Sequence, residues 1–120
     1  MTTIRHESLD NGLEISFSDE SNRYFGDYHH ICVIATIGYP LERLTDDALR
    51  VRAIAVYGEQ FKVEKRFERM GVPSSAVDST RNALIDDFMR HAAVYLSRPD
   101  YPRLLVVAEL SKQRTGRFYA

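Results

Sequence analysis

The sequence predicts a two-layer α+β domain, a mainly antiparallel sheet in the order β-β-β-α-β-α-α with one long amphipathic helix packed on it. Three observations carry that prediction. A hairpin signal, Asp10-Asn11-Gly12, joins two short β-compatible runs near the start. The segment 28–37 is apolar on both sides, as a strand inside a sheet should be. Residues 75–97 place Val77, Leu84, Ile85, Phe88, Ala92, Tyr95 and Leu96 on one helical stripe, long enough to cover a sheet face.

The elements follow in order. Residues 3–9 and 13–19 form the hairpin, and a three-residue loop with Gly12 in the left-handed region pairs Leu9 with Leu13, apolar beside apolar. A two-residue loop would set Leu9 against Glu14. Leu13, Ile15 and Phe17 alternate with Glu14, Ser16 and Ser18, so one face of the second strand enters the core. The same register puts Arg5 and Glu7 of the first strand on that face, which suits an edge. In the third strand Ile31, Val33, Ala35 and Ile37 face one way and Cys32, Ile34 and Thr36 the other, so cover is expected on both faces. Thr45 as N-cap, Asp46 and Asp47 at the positive helix end and Gly58 as terminator predict a short helix over 46–57.

Residues 60–70 fit both periods, and the alternation of Phe61, Val63, Lys65 and Phe67 favours a strand. Ser75, with Asp78 three residues on, caps the long helix in this reading. Asp100 and Pro102 open a last helix whose negative end holds Lys112 and Arg114, although Leu104 to Val107 also suits a strand. Pro40, Pro73, Pro99 and Pro102 fall between periodic segments, and no repeat or linker interrupts the chain, so residues 1–120 read as one domain.

Composition narrows the function classes. A chain of 120 residues, 44% hydrophobic and 28% charged, has the make-up of a folded globular domain. At this length roughly 65% of the unfolded surface is buried, so one core suffices without metal or disulfide. Cys32 is the only cysteine. A net charge of −1 supplies no field for nucleic acid or anionic lipid. The first half carries five basic and ten acidic residues and the second eleven and seven, a polarity that can align two copies or draw an acidic ligand to the second half. Solvated faces are its ordinary explanation. The thirteen arginines beside three lysines read as composition rather than phosphate recognition. Lys112, Arg114 and Arg117 beside Phe118 and Tyr119 fall short of a nucleic-acid stripe. The charged first twenty residues and the absence of an 18-residue apolar run predict neither export nor a membrane span, hence a cytoplasmic location.

No short catalytic or nucleotide motif is present, neither G-x-G-x-x-G nor a phosphate loop, H-E-x-x-H, C-x-x-C or G-x-S-x-G. The most suggestive segment is 21–30. There Arg23 could clamp a carboxylate or phosphate, Tyr24 or Phe25 could stack on a planar ligand, Asp27 could orient a histidine and His30 could carry a proton. The plainer account makes Phe25 a core plug, Gly26 a turn and Asp27 its cap, and it is the favoured one. His29 and His30 diverge on a strand, whereas His30 and Cys32 share a face, with His6 the one further metal candidate. Two donors fall short of a zinc site, so a buried structural thiol is the better account.

Arg81 points toward the apolar stripe of the long helix and needs a partner, unless its head emerges past the sheet edge; His91 lies at the stripe's margin. The pairs Asp46/Asp47 and Asp86/Asp87 diverge by about 100° on a helix and read as cap and solvent face.

The expected function is therefore a small non-catalytic interaction or regulatory domain, with no cofactor, metal or catalytic residue assigned. The alternative is a binder of a small anionic ligand, or an enzyme, using Arg23, Tyr24, Asp27 and His30. Self-association as a homodimer is expected as well, because Cys32 and Ile34 need cover on a second sheet face and Val94 with Ala83 adds an apolar patch. Internal cover by the helices at 46–57 and 102–114 is the alternative.

Overall fold

The computed structural model describes residues 2–119, with side chains for 3–112. Five strands and three α-helices follow the order β1 (Thr2–Ser8), β2 (Glu14–Asp19), β3 (Asn22–Phe25), β4 (Tyr28–Pro40), α1 (Asp47–Tyr57), β5 (Gln60–Pro73), α2 (Val77–Leu96) and α3 (Tyr101–Tyr119). The α+β class, the antiparallel sheet and the long covering helix are those the sequence predicts. One strand more is present than expected, because β3 lies inside the segment read as a loop.

The first hairpin takes the expected register. Leu9 N–H donates to the Leu13 carbonyl at 2.9 Å, Ser8 pairs with Glu14, and Gly12 sits at φ 96°. Ala35 of β4 pairs with both Phe17 of β2 and Lys65 of β5, so β2 and β5 flank β4 on opposite edges. β3 pairs with the earlier part of β4 on the β2 side, Asn22 opposite His30, in the same register in which Asp19 opposes Val33. β2 and β3 are therefore one edge of the β4 ladder, interrupted at residues 20 and 21. Gly26, at φ 54°, turns the chain from β3 into β4 through a two-residue loop, the position where a hairpin asks for glycine.

The β4–β5 ladder is the longest. It runs from Tyr28 opposite Pro73 to Pro40 opposite Gln60, with Met70 and Gly71 bulged against the single residue His30. Gly71 takes φ 69° there.

Leu13, Ile15, Phe17, Ile31, Val33, Ala35, Ile37, Tyr39 and Phe61 point to one face. There they form a single core with Leu49 and Ala53 of α1, Leu84, Ile85, Ala92 and Leu96 of α2, and Leu105, Val106 and Leu110 of α3. All three helices thus lie on one side, termed here the helix face. Tyr57 meets Phe61 edge-on at 4.9 Å between centroids, and its buried hydroxyl has no hydrogen-bond partner among the described residues.

The other, open face corrects an expectation. Among the described residues no helix covers Cys32 and Ile34, yet they are 0% and 5% exposed. Side chains of neighbouring strands roof them: Arg66 of β5 opposes Ile34 and reaches Glu20, beyond β2, at 3.5 Å, while Glu68 opposes Cys32 and stands 3.5 Å from His30. Neither the shorter helices nor a second copy is needed there, so the burial premise for a dimer falls away.

Two caps differ from the sequence reading. Asp46, not Thr45, caps α1, its carboxylate accepting from Leu49 N–H at 3.1 Å, and Gly58 ends the helix at φ 78°. α2 has no side-chain cap: Ser74–Ala76 form a 3-10 turn that leads into it, so Ser75 lies outside the helix. The segment from Leu104 is helical, within α3. The side chains of Arg114, Arg117, Phe118 and Tyr119 lie outside the described residues.

Candidate interaction site

Of the residues singled out at 21–30, Asp27 lies within reach of the charges of His29 and Arg23, whereas His30 turns away from them. The tip of the β3–β4 hairpin is docked on the chain after β5. Asp27 accepts from Ser74 N–H at 3.4 Å, and His29 Nε2 lies 2.9 Å from Ser74 Oγ. The Asp27 carboxyl is held below its ordinary range chiefly by the Ser74 hydrogen bonds. His30 turns to the open face and meets Glu68. Arg23 pairs in the ladder with His29 and, among the described residues, forms no ion pair. Phe25, the supposed plug, is 74% exposed; Tyr24 and Tyr28 are each about half exposed. Asp27 caps the turn after β5 instead of its own. Among the described residues no three histidine, cysteine or acidic side chains stand close enough to hold a metal ion.

Arg81 finds its partner within the chain. Its guanidinium donates to Asp19 at 3.0 Å and to Asp78 at 2.7 Å. Burial raises the Asp19 carboxyl, but hydrogen bonds from Ser21 and the Arg81 charge outweigh it and leave the group below its usual range. Burial also pushes the Cys32 thiol up, which lowers its thiolate fraction at neutral pH.

Three strands, β1, β3 and β5, pair on one side only, and β5 is the longest of them. It pairs with β4 alone, so its outer edge, fourteen residues long, has no strand beside it among the described residues. Free N–H and C=O groups on such an edge are a template for an added strand. The edge borders a cleft of about 430 Å³ between β5 and α2, lined by Phe67, Leu84, Phe88 and Ala92, with the charged Arg69 and Asp87 and with His91 and Tyr95 also on it.

Two residues shape that cleft. Phe88 projects from α2 between Phe17 of β2, at 5.8 Å, and Phe67 of β5, at 5.2 Å, and so holds the helix at its distance from the strand. Asp87 accepts from Arg90, and the His91 Nδ1–H donates to the Asp87 carbonyl at 2.8 Å.

Charge orders the open face of the same strand. Lys62, Glu64, Arg66 and Glu68 alternate in sign along it. Arg66 donates to Glu68 at 2.7 Å, and this bond, with His30 adding its charge, keeps the Glu68 carboxyl ionised below its ordinary range.

Sequence reasoning placed Phe67 in the alternation of a strand and read the α2 stripe as the cover of the sheet, and it passed over the edge. Its signal was the run Lys62 to Arg69, where charges occupy both faces of a strand, a pattern that fits an outer strand only. Comparisons with protein-family models, with curated proteins and with solved structures find no match to this chain.

Proposed function

We propose that this chain is a non-catalytic interaction domain whose working surface is the free edge of β5 together with the cleft beside α2. Its partner is an extended polypeptide segment that adds to the sheet as a further strand. One observation carries the reading: the longest strand of the sheet is an outer one, and it is flanked by a cleft with apolar side chains from β5 and α2, into which alternate side chains of an added strand can reach. Main-chain hydrogen bonds supply affinity in this mode, and pockets for every second side chain supply selectivity. The alternation of Lys62, Glu64, Arg66 and Glu68 calls for a partner whose own charges alternate in the opposite phase. A cytoplasmic site of action belongs to the same proposal; it is supported by the buried, unpaired Cys32 and by the lack of any helix among the described residues long and apolar enough to cross a membrane.

The test is a titration followed by amide NMR, with a synthetic peptide of about ten residues. Its alternate positions are valine, and Lys and Glu alternate between them. The expected result is perturbation confined to β5 and to Phe67, Leu84, Phe88 and His91. Shifts that fall only outside β5 and α2, or none at millimolar peptide, would overturn the reading.

A further inference from the structure

The natural occupant of this edge can be read from its own charges. We infer that two copies of the chain pair through β5, antiparallel and related by a twofold axis at Lys65, so that the two sheets become one. This rests on the strand-addition reading above and names its partner.

The argument is one of register. Twofold pairing about a residue sets opposite one another residues equally far before and after it. Such residues are of like parity, so they share a face and their outward N–H and C=O groups meet. The stretch of β5 free of the bulge runs from Gln60 to Arg69, and the bulge at Met70 and Gly71 confines the axis to its middle. With the axis at Lys65, Lys62 faces Glu68 of the second copy and Glu64 faces its Arg66, each contact occurring twice. That makes four contacts of opposite sign on the open face.

Moving the axis by one residue spoils this. At Glu64, Lys62 would face Arg66 and Glu64 would face itself. At Arg66, Glu64 would face Glu68 and Arg66 would face itself. An axis at Phe67 carries the ladder through the bulge and sets Lys65 against Arg69. An axis at Val63 keeps only the Lys62–Glu64 contacts and shortens the ladder to residues 60–66. Like charges directly opposite are destabilising in a sheet, so the pattern selects Lys65.

On the helix face the same register lays Val63 against Phe67 of the second copy. Val63 is half-buried, and Phe67 forms a wall of the cleft. The pair therefore extends apolar packing across the seam toward Phe88. The one unfavourable contact is Lys65 with its own counterpart; both are exposed, and their long stems part into water. The charges that discourage indiscriminate strand pairing thus permit this one.

Two kinds of variant test the register, with sedimentation velocity from micromolar to millimolar protein as the readout and circular dichroism as the folding control. Glu68→Lys turns two attractive contacts repulsive and should weaken the dimer about tenfold or more. Adding Lys62→Glu to it restores opposite signs and should restore dimerisation. Lys65→Cys should give an interchain disulfide under mild oxidation. Lys62→Cys should not, because residue 62 stands roughly 20 Å from its counterpart in this register. The wild-type chain is the control for Cys32, which is buried. A wild-type chain monomeric throughout overturns the self-pairing, and the peptide titration then decides strand addition by itself. A dimer that Lys62→Glu does not rescue and Lys65→Cys does not cross-link overturns the register.

Discussion

At the scale of single residues, the charged groups buried part-way are those with partners from distant segments. Asp19 and Arg81 are each 22% exposed and meet across 62 positions of sequence at 3.0 Å. The sequence shows that Arg81, set among Leu84, Ile85 and Phe88, needs a counter-charge. It cannot name Asp19, because only the packing of α2 over β2 brings the two together. Their pairing makes stability depend on pH with a definite sign. The Asp19 carboxyl is depressed from 3.8 in the folded chain, so its stabilisation is present above that value and is lost as pH falls through the folded pKa beneath it. Asp19→Asn should cost about 1–2 kcal/mol at neutral pH, the worth of hydrogen bonds to a charged group. Urea unfolding at a series of pH values should show that gap narrowing as the pH falls below about 4, through the lowered folded pKa. A gap that stays open in the acid limb would remove Asp19 as its source.

At the scale of elements, legibility followed the locality of the interactions. The β1–β2 register was readable because the loop and the pairing of Leu9 with Leu13 lie within a dozen residues. β3 was not, because its four exposed residues have no alternation of their own and are strand only by continuing β2 along β4. The start of α2 was misplaced for a related reason: Ser75 has the chemistry of a cap, but the chain leaves β5 through a 3-10 turn and enters the helix at Val77. Asn11 was read only as a turn residue and does more. Its amide donates to the carbonyls of Leu96 at 2.6 Å and Arg98 at 2.8 Å, and its oxygen accepts from Leu13 N–H at 3.1 Å. The hairpin loop thereby satisfies the carbonyls that the end of α2 leaves open, and it fixes the turn into α3. Asn11→Ala should cost about 1–3 kcal/mol in thermal or urea unfolding, since two part-buried groups, the Leu96 carbonyl and the Leu13 N–H, lose this partner. Asn11→Asp should cost at least as much, because it sets a carboxylate against two carbonyl oxygens. Asn11→Asp unfolding like the wild type would show that the clamp contributes nothing.

At the scale of the whole molecule, the sheet is covered by helices on one face and by side chains on the other, and the difference decides how its single thiol behaves. The sequence identified β4 as apolar on both sides and asked for a second layer over Cys32 and Ile34. That inference lacked the β4–β5 register, which places Arg66 beside Ile34 and Glu68 beside Cys32. Once the register is known, the cover follows. The Arg66 stem crosses β4 to reach Glu20, so methylene groups lie over the apolar pair while the charge stays in water. The candidate surface on β5 was hidden for the same reason, since an edge is a property of the assembled sheet and not of the strand. If stems provide the cover, shape matters more than charge. Arg66→Ala should expose Cys32 and raise its rate of reaction with an aromatic disulfide reagent under native conditions about tenfold or more, with little loss of stability, because surface substitutions typically change it by about 0.5 kcal/mol or less. Arg66→Met keeps an unbranched stem without the guanidinium and should hold the thiol near its wild-type protection. Rates raised equally in the two variants would assign the protection to the Arg66–Glu20 ion pair. Rates unchanged from wild type in both would place the cover elsewhere on the open face.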